Sequence, residues 1–500
     1  MGVFVHVLFG ILPLLSPSFG GSQEQQQPER WDSTHHGHGL RHHAGSTIIV
    51  QCRDHSNCTA ELQHALDADG AANIVVQNSR AGPLQVDPVF IRKSNRRLTL
   101  SPGVELLAIS MSPAYQRMDA SLLSIMNVAN VEVIAEGATL RMHKLQYLPP
   151  FYKKGEWRAT LNIREVSNVT VRGGTYVDAG GDGVFVESSV GPIVLDGVST
   201  EGAWRNGLSV ISAGGGLHVR SSTFSDTNGT APMCGIDVEP DSSDDVLRGV
   251  IFSNVRLLGN RRCGFTLSPT RMIGSTAPID VTVDGMVIQN VPGTAYQWGR
   301  APDRNVGGVG MKLLNSFNLT GSVAVRNLSI SQCYASALYL DNWPSGYVSV
   351  VFDGLRVCNN THGIGETRWH GVQPLGPAFG GGPVSPVVVM PASCENSCDM
   401  RKRCETCDPT LSSGGLVFQD GCMVEDTVNR SWLSRMWTGT HGHGTGGFPP
   451  SLTNISGRVL IKNPNGCIPA EVGANARNIH LTVECDKAAA HTAGKAQLIN

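Results

Sequence analysis

The sequence predicts an all-β solenoid: a single-stranded parallel β-helix opened by a short helix and closed by a disulfide-rich C-terminal region. Three observations predict it. Runs of the form apolar, variable, apolar recur at Leu161-Asn-Ile163, Val184-Phe-Val186, Leu208-Ser-Val210, Ile236-Asp-Val238, Phe265-Thr-Leu267 and Leu338-Tyr-Leu340, the first steps being 23, 24 and 28 residues. A second column lies between them, at Val169–Val171, Ile193–Leu195, Leu217–Val219, Val250–Phe252, Val281–Val283 and Val323–Val325, so each repeat carries at least two short strands. The connections are loops of about 10 residues rich in Gly, Asn, Asp and Ser, with no helical period for a crossover helix. They also mostly lack the Asn-Gly and Asp-Gly hairpin turns of a β-sandwich. Parallel strands joined this way must pair with their equivalents one coil on.

Composition fits this fold and excludes other classes. The 500 residues include 58 glycines, with 16% charged and 6% aromatic residues, where an average soluble protein has about 7% Gly and about 25% charge. Turns of stacked coils use the glycines, and a long apolar interior needs few charges. A hydrophobic content of 41% and a net charge of −2 exclude a disordered chain. The near balance of charges leaves no overall field to attract nucleic acid or an anionic membrane, so neither is expected as a partner.

Taken in order, residues 1–21 read as a signal peptide: an apolar core from Val3 to Leu15, then small residues with cleavage near Gly20 or Gly21. The absence of Lys or Arg before the core leaves a short membrane anchor as the alternative. No later apolar run reaches spanning length. Residues 22–45, Gln-rich and then His-rich, are expected to be a flexible linker, with metal binding by the histidines the lesser alternative. Secretion is the expected localisation. Asn-x-Ser/Thr triplets at Asn57, Asn168, Asn228, Asn318, Asn327, Asn359, Asn429 and Asn454 and thirteen cysteines fit it.

The β-helix domain is assigned to residues 46–390. It opens with an extended run, Ser46–Gln51, and a helix over Thr59–Leu66 that presents Leu62, Ala65 and Leu66 on one face, with Thr59 as its N-cap. Strand-like runs follow at Asn73–Val76, Leu98–Leu100 and Val131–Ile134 before the regular repeats. Cys234 and Cys263 fall at equivalent places on neighbouring coils, within disulfide reach, and read as a structural staple. Residues 391–500 form the Cys-rich C-terminal region, with final coils or a cap at Val459–Ile461 and Ile479–Val483. A disulfide framework is favoured there over zinc, and a separate binding module is the rival reading. The odd cysteine count leaves at least one thiol unpaired within the chain.

The helix Thr59–Leu66, the segment Ile91–Leu106, and repeats such as Asn168–Gly174 and Gly181–Val186 resemble the pectate-lyase-like superfamily of right-handed parallel β-helix proteins, which includes polygalacturonases. The likeness covers roughly residues 46 to 365, and is strongest to β-helix repeat proteins with segments like Arg205–Ser212 and Asn228–Pro240. The resemblance implies a right-handed coil and a polysaccharide partner. Polygalacturonases carry an Asn-Thr-Asp, an Asp-Asp pair and a Gly-His-Gly on successive coils, and this sequence lacks that series. Asp244-Asp245 falls in a turn, and His441–Gly444 follows the cysteine cluster.

Stacking the repeats converts sequence into geometry. If Val184, Leu208, Ile236 and Phe265 point inward, then Phe185, Ser209, Asp237, Thr266 and Tyr339 form one outward column, and Arg164, Glu187, Ile211, Glu239, Ser268 and Asp341 a second. Asp237 and Glu239 then share a face at roughly 6 to 7 Å, with Glu187 about 10 Å from Glu239. Inverting glycosidases separate acid and base by roughly 6.5 to 9.5 Å. Asp237, Glu239 and Asp182 are therefore the candidate catalytic groups, and crowding among them and Glu187 is expected to raise at least one carboxyl pKa. Arg205, Asn206, Glu187, Trp204 and Trp157 are the candidate substrate-binding residues, the two tryptophans as stacking surfaces for sugar rings.

The plainer alternative is a solvated strand face with Arg164 and Glu187 as a cross-coil ion pair. The function expected first is carboxylate-pair hydrolysis of a polysaccharide by a monomer with no cofactor and no metal. A calcium-assisted lyase acting on uronates, drawing on Arg205, Arg248, Arg261 and Arg262, comes second; no Lys is read on the key coils. A non-catalytic glycan-binding or matrix protein is the third reading. No phosphate loop or Ser/His/Asp arrangement supports nucleotide chemistry or serine hydrolysis.

Overall fold

A computed structural model describes residues 46–358 except 53, 78–81, 154, 273, 296–304, 307, 315–318, 334–335 and 342–346, together with the strands Leu416–Glu425, Thr453–Lys462, Arg477–Asp486 and Gly494–Ile499. The expected leader, the linker and the cysteine cluster at 394–407 lie outside the described residues.

The chain coils as a parallel β-helix. One nine-stranded parallel ladder runs through Val89–Ile91, Leu123–Met126, Leu161–Arg164, Val184–Glu187, Leu208–Val210, Cys234–Val238, Cys263–Leu267, Val309–Leu314 and Ser336–Asp341. A second ladder stacks Ser46–Val50 and Ala71–Val76 through to Tyr347–Asp353 and contains every member of the second column predicted above. Each coil also carries a third strand, from Leu84–Val86 and Glu105–Ala108 to Arg356–Cys358. These third strands are mostly three residues long with one or two inward side chains, as in Thr223–Ser225, where Phe224 alone is buried. Three residues are too few to display a period of two. The late strands continue the stack, and only Gly494–Ile499 adds antiparallel to it.

Alternation explains the core. In each strand the flanking apolar residues turn inward and vanish from solvent, as Val184, Leu208, Ile236 and Phe265 do, and the residues stack into one continuous interior. Corners are turned by asparagine in the left-handed region. Asn95, Asn130 and Asn168 all have φ between 54° and 59°; Asn130 Nδ2 donates to Asn95 Oδ1 at 2.9 Å and Asn168 Nδ2 to Asn130 Oδ1 at 2.8 Å. Asparagine tolerates this conformation, and its amide links one coil to the next.

The helix Thr59–Asp67 covers the open first coil with Leu62, Ala65 and Leu66 buried. Thr59 is its first helical residue rather than its N-cap. Cys58, tied to Cys52 by a disulfide, takes the cap position, and Asn57 Oδ1 accepts from the Thr59 N–H at 3.2 Å. The Thr59 hydroxyl instead accepts from the Asp87 N–H at 2.8 Å. Gln63 blunts the exposed edge of the first strand, accepting from Phe90 N–H at 2.9 Å and donating to Phe90 C=O at 3.0 Å. The Cys234–Cys263 staple joins paired residues of adjacent coils with Cα atoms 4.5 Å apart. Cys333 is buried, its thiol donating to the Ser331 carbonyl at 3.7 Å.

Candidate functional site

The central outward column of the nine-stranded ladder has the register expected: Phe185 pairs with Ser209, Ser209 with Asp237, and Asp237 with Thr266. It continues to Lys312 and then Tyr339. Lys312 lies two coils beyond Asp237, on a strand that the sequence spacing does not reveal because a long excursion separates Leu267 from Val309.

Direction is one matter and exposure another. Phe185, Ser209, Asp237 and Thr266 are only 2%, 1%, 2% and 4% exposed, so the column is not an open groove. Over Phe185 lie Ile211, Ala159 and the Arg164 guanidinium, the last 4.8 Å from the ring centroid. Over Asp237 lies Arg205.

Arg205 and Asn206 occupy the loop entering Leu208–Val210, and Asp182 holds the corresponding place one coil earlier. Asp182, wholly buried, accepts from Arg205 Nη1 at 3.2 Å and from the Asn206 N–H at 3.1 Å. Asn206, also wholly buried, donates through Nδ2 to Asp237 Oδ2 at 3.1 Å and Ser209 Oγ at 3.0 Å, and accepts the Cys234 N–H on Oδ1 at 3.0 Å. Arg205 Nη2 lies 4.0 Å from Asp237 Oδ2 and 3.5 Å from Glu239 Oε2, while Nε stands 3.9 Å from Glu156 Oε2. Four carboxylates thus surround one guanidinium. Its Nε–H is buried without a hydrogen-bond partner.

The electrostatics follow from that enclosure. Asp237 is pushed up to about 7, chiefly by burial and then by the charges of Glu239 and Asp182, with Arg205 and Lys312 pulling the other way. Burial also raises Asp182 against the opposing pull of Arg205 and its hydrogen bonds. Burial works against the charge of Arg205, but Asp182, Asp237, Glu156 and Glu239 outweigh it and hold its pKa above the ordinary value.

Glu187 stands apart from this cluster. It pairs with Arg164 at 2.9 Å on the neighbouring coil, the cross-coil ion pair of the plainer alternative, and Ile211 separates it from Glu239. Its pKa is raised by burial, partly offset by Arg164 and reinforced by Asp241 and Asp245. Asp245 itself closes a turn, accepting from the N–H groups of Asp241 and Ser242 at 2.9 and 2.8 Å.

Trp157 is 40% exposed and Trp204 half-buried, each immediately before an arginine of the stacked loops. Arg158 is wholly buried and anchors the Trp157 loop, donating to the carbonyls of Tyr115, Arg117 and Lys153 at 3.0, 2.8 and 3.1 Å under the rings of Tyr147 and Tyr152. Glu156, absent from the candidates named from sequence, is fixed beside Arg205 by this anchor. Its only sequence signal is adjacency to Trp157, because loop residues carry no strand register.

No family model matches the chain, and no curated protein matches it. Solved structures similar to it are β-helix proteins of low identity. PfbA, a surface adhesin of Streptococcus pneumoniae, is 11% identical with a TM-score of 0.45, over 88% of this chain and 90% of that one. A hyperthermoactive exopolygalacturonase from Thermotoga maritima is 10% identical with a TM-score of 0.40, over 91% and 95% of the two chains. The enzymatically active domain of bacteriophage CBA120 tailspike protein 2 is 11% identical with a TM-score of 0.40 over 64% of this chain, which spans 44% of that domain's length. At these identities the likeness is one of fold. What the fold and the site define is a parallel β-helix with a buried carboxylate–arginine network on its outer face.

Proposed function

We propose that this protein is a secreted polysaccharide-active enzyme that hydrolyses glycosidic bonds at the Asp237–Glu239 pair. One observation carries the reading: a buried carboxyl held near pH 7 lies next to a half-exposed carboxylate on the same strand. Asp237 is the acid, protonating the glycosidic oxygen as its bond to the anomeric carbon breaks. Glu239 is the base, taking a proton from the water that attacks that carbon. Both approach Arg205 Nη2, which keeps their nearer oxygens no more than about 7.5 Å apart, close enough for the two to act on one glycosidic bond. Asp182 holds Arg205 and Asn206 in place and is a positioning residue. Trp157 and Trp204 supply stacking surfaces at the edge of the site.

Calcium-assisted elimination suits this donor set less well, because the Arg205 guanidinium occupies the centre where the carboxylates converge and a cation would sit. Secretion is supported by the leader-like residues 1–21 and by the Cys52–Cys58 and Cys234–Cys263 disulfides. A binding-only role is favoured by one feature, the near-complete enclosure of Asp237.

Reducing-end release from neutral, amino and uronate polysaccharides decides between the readings. Hydrolysis predicts reducing ends without unsaturated-sugar absorbance and a loss of at least about 100-fold in Asp237→Asn and Glu239→Gln variants that retain wild-type melting curves. Absorbance from new double bonds would establish a lyase. No cleavage, with binding unchanged in both variants, would leave the glycan-binding reading.

A further inference from the structure

Four of the Asn-x-Ser/Thr triplets begin at asparagines whose side chains are described: Asn57, Asn168, Asn228 and Asn327. Three of these carboxamides are built into the fold. Asn57 Oδ1 accepts from the Thr59 N–H at the start of the helix, at 3.2 Å. Asn168 and Asn327 turn corners at φ 54° and 50° and donate through Nδ2 to the preceding coil, to Asn130 Oδ1 and Asp284 Oδ1, each at 2.8 Å. Of the four, only Asn228 makes no hydrogen bond through its side chain to a described residue, and it is exposed.

The backbone around Asn228 is nevertheless held on both sides. Thr227 Oγ1 lies 2.9 Å from the Met233 carbonyl oxygen and 3.1 Å from Asn260 Oδ1. The Asn228 N–H donates to the Ala203 C=O at 3.0 Å and the Thr230 N–H to the Trp204 C=O at 2.7 Å, which sets the loop one coil on from Trp204. A Cβ at Gly229 would lie 2.2 Å from Trp204 Cδ2, so the loop rests directly on the indole.

An N-linked glycan is bulky and belongs on a surface loop, at an asparagine followed two residues later by Ser or Thr. Asn228 meets this without the loss of any contact, because the new bond replaces an N–H that no described group receives. At Asn168 and Asn327 the same bond would form at a nitrogen already donating across coils. Thr230 is only 3% exposed in the folded protein, so the triplet is open to a transferase before the loop closes on Trp204 and not afterwards.

We infer that Asn228 is an N-glycosylation site whose glycan stands at the Trp204 edge of the proposed active site. In the transfer, the bond between the anomeric carbon of an oligosaccharide and the diphosphate oxygen of its lipid-linked donor breaks. A bond from that carbon to Asn228 Nδ2 forms, one Nδ2 proton is released, and the lipid diphosphate leaves. The inference rests on the secreted part of the proposed reading and is independent of hydrolysis.

The test is expression of the full chain, with its own residues 1–21, in a eukaryotic cell. The glycans are then released enzymatically in heavy-oxygen water, which converts each modified asparagine to a labelled aspartate that peptide mass spectrometry detects. Asn228 is expected to carry the label in most molecules, and Asn228→Gln to remove one glycan from the intact mass. An unlabelled Asn228 in the secreted protein would overturn the inference and leave secretion standing. A chain that stays in the cytosol with no triplet labelled would overturn both. The same chain exported to the bacterial periplasm, which allows disulfides and adds no such glycan, gives a second measurement. There Asn228→Gln is expected to keep the wild-type melting temperature, while Asn168→Gln and Asn327→Gln each lower it by several degrees. A fall in Asn228→Gln equal to theirs would show that the fold uses this carboxamide and would overturn the assignment.

Discussion

The carboxamide of Asn206 is a two-sided clamp on Asp237: Nδ2 donates to Asp237 Oδ2 at 3.1 Å, while Oδ1 is held by the Cys234 N–H at 3.0 Å. The second bond fixes which end of the amide faces the acid. Asn206→Ala would leave the Cys234 N–H and Asp237 Oδ2 without this partner in a buried place and is expected to cost about 2 to 4 kcal/mol. Urea melts at neutral pH measure the loss. A change below about 0.5 kcal/mol would show that the clamp does not hold the folded site.

Asp237 links stability to pH with a definite sign. Its folded pKa, about 7, lies above the ordinary 3.8, so the folded state binds more protons than the unfolded chain between those values. The stabilisation is complete below about pH 4 and is lost as pH rises through 7. Asp182, also raised, acts in the same direction. Asp67 and Asp119, whose pKa values are lowered by partners including Arg92 and Arg117, act oppositely but only in the acid range. His218, whose pKa burial lowers, acts oppositely near pH 6, so the Asp237 contribution is read as a difference: the wild type is expected to lose more stability, or gain less, from pH 5 to pH 8 than Asp237→Asn. Hydrolysis that depends on the same proton should decline above pH 7. Melting temperatures and initial rates across this range check both; a variant whose stability follows the same course as the wild type would contradict the assignment.

Most strands of two ladders were legible because their apolar–variable–apolar runs recur at nearly constant spacing, and Val309–Leu314 was not because a long excursion breaks that spacing. Asp237 and Glu239 were legible for the same reason, since a register fixes which side chains share a face. The third ladder was not, as Thr223–Ser225 illustrates with its single buried side chain. What the sequence concealed at the site is the roof. Arg205, Glu156 and Ile211 come from loops or strand ends, and their convergence over the column depends on loop paths that no periodicity encodes. The same gap separated Glu187 from the cluster to which its column position had joined it.

Arg205 tests the network from its centre. Replacing it with Met removes the single guanidinium among four carboxylates and leaves Asp182 and Asp237 buried without it. Breaking a buried pair in this way costs about 3 to 5 kcal/mol. The deficit at pH 8 should shrink at pH 5, where the remaining carboxyls take up protons and no longer need a counter-charge. Arg205→Met/Asp182→Asn is expected to recover part of the loss at pH 8, because one buried charge disappears with the other. Equal losses at both pH values, with no recovery in the double variant, would mean that Arg205 stabilises through packing alone.

Gly181 tests how closely the loops beneath the site are stacked. A Cβ placed there would land on the Glu156 carbonyl and lie 2.8 Å from the Arg158 backbone nitrogen. The obstacle is backbone on both sides, so no rotamer change relieves it, and the loop bearing Glu156 and Trp157 must move away from the next coil. Arg158 resists that movement through its three carbonyl acceptors. Gly181→Ala is therefore expected to destabilise the protein by about 1 to 3 kcal/mol and to weaken glycan binding severalfold, while circular dichroism stays that of the native coil. Gly181 also accepts the Arg205 N–H at 2.9 Å and directly precedes Asp182, so such a loss would report on the placement of the stacked loops together, the Trp157 loop among them. Unchanged binding together with the expected destabilisation would show instead that the Trp157 loop is not part of the recognition surface.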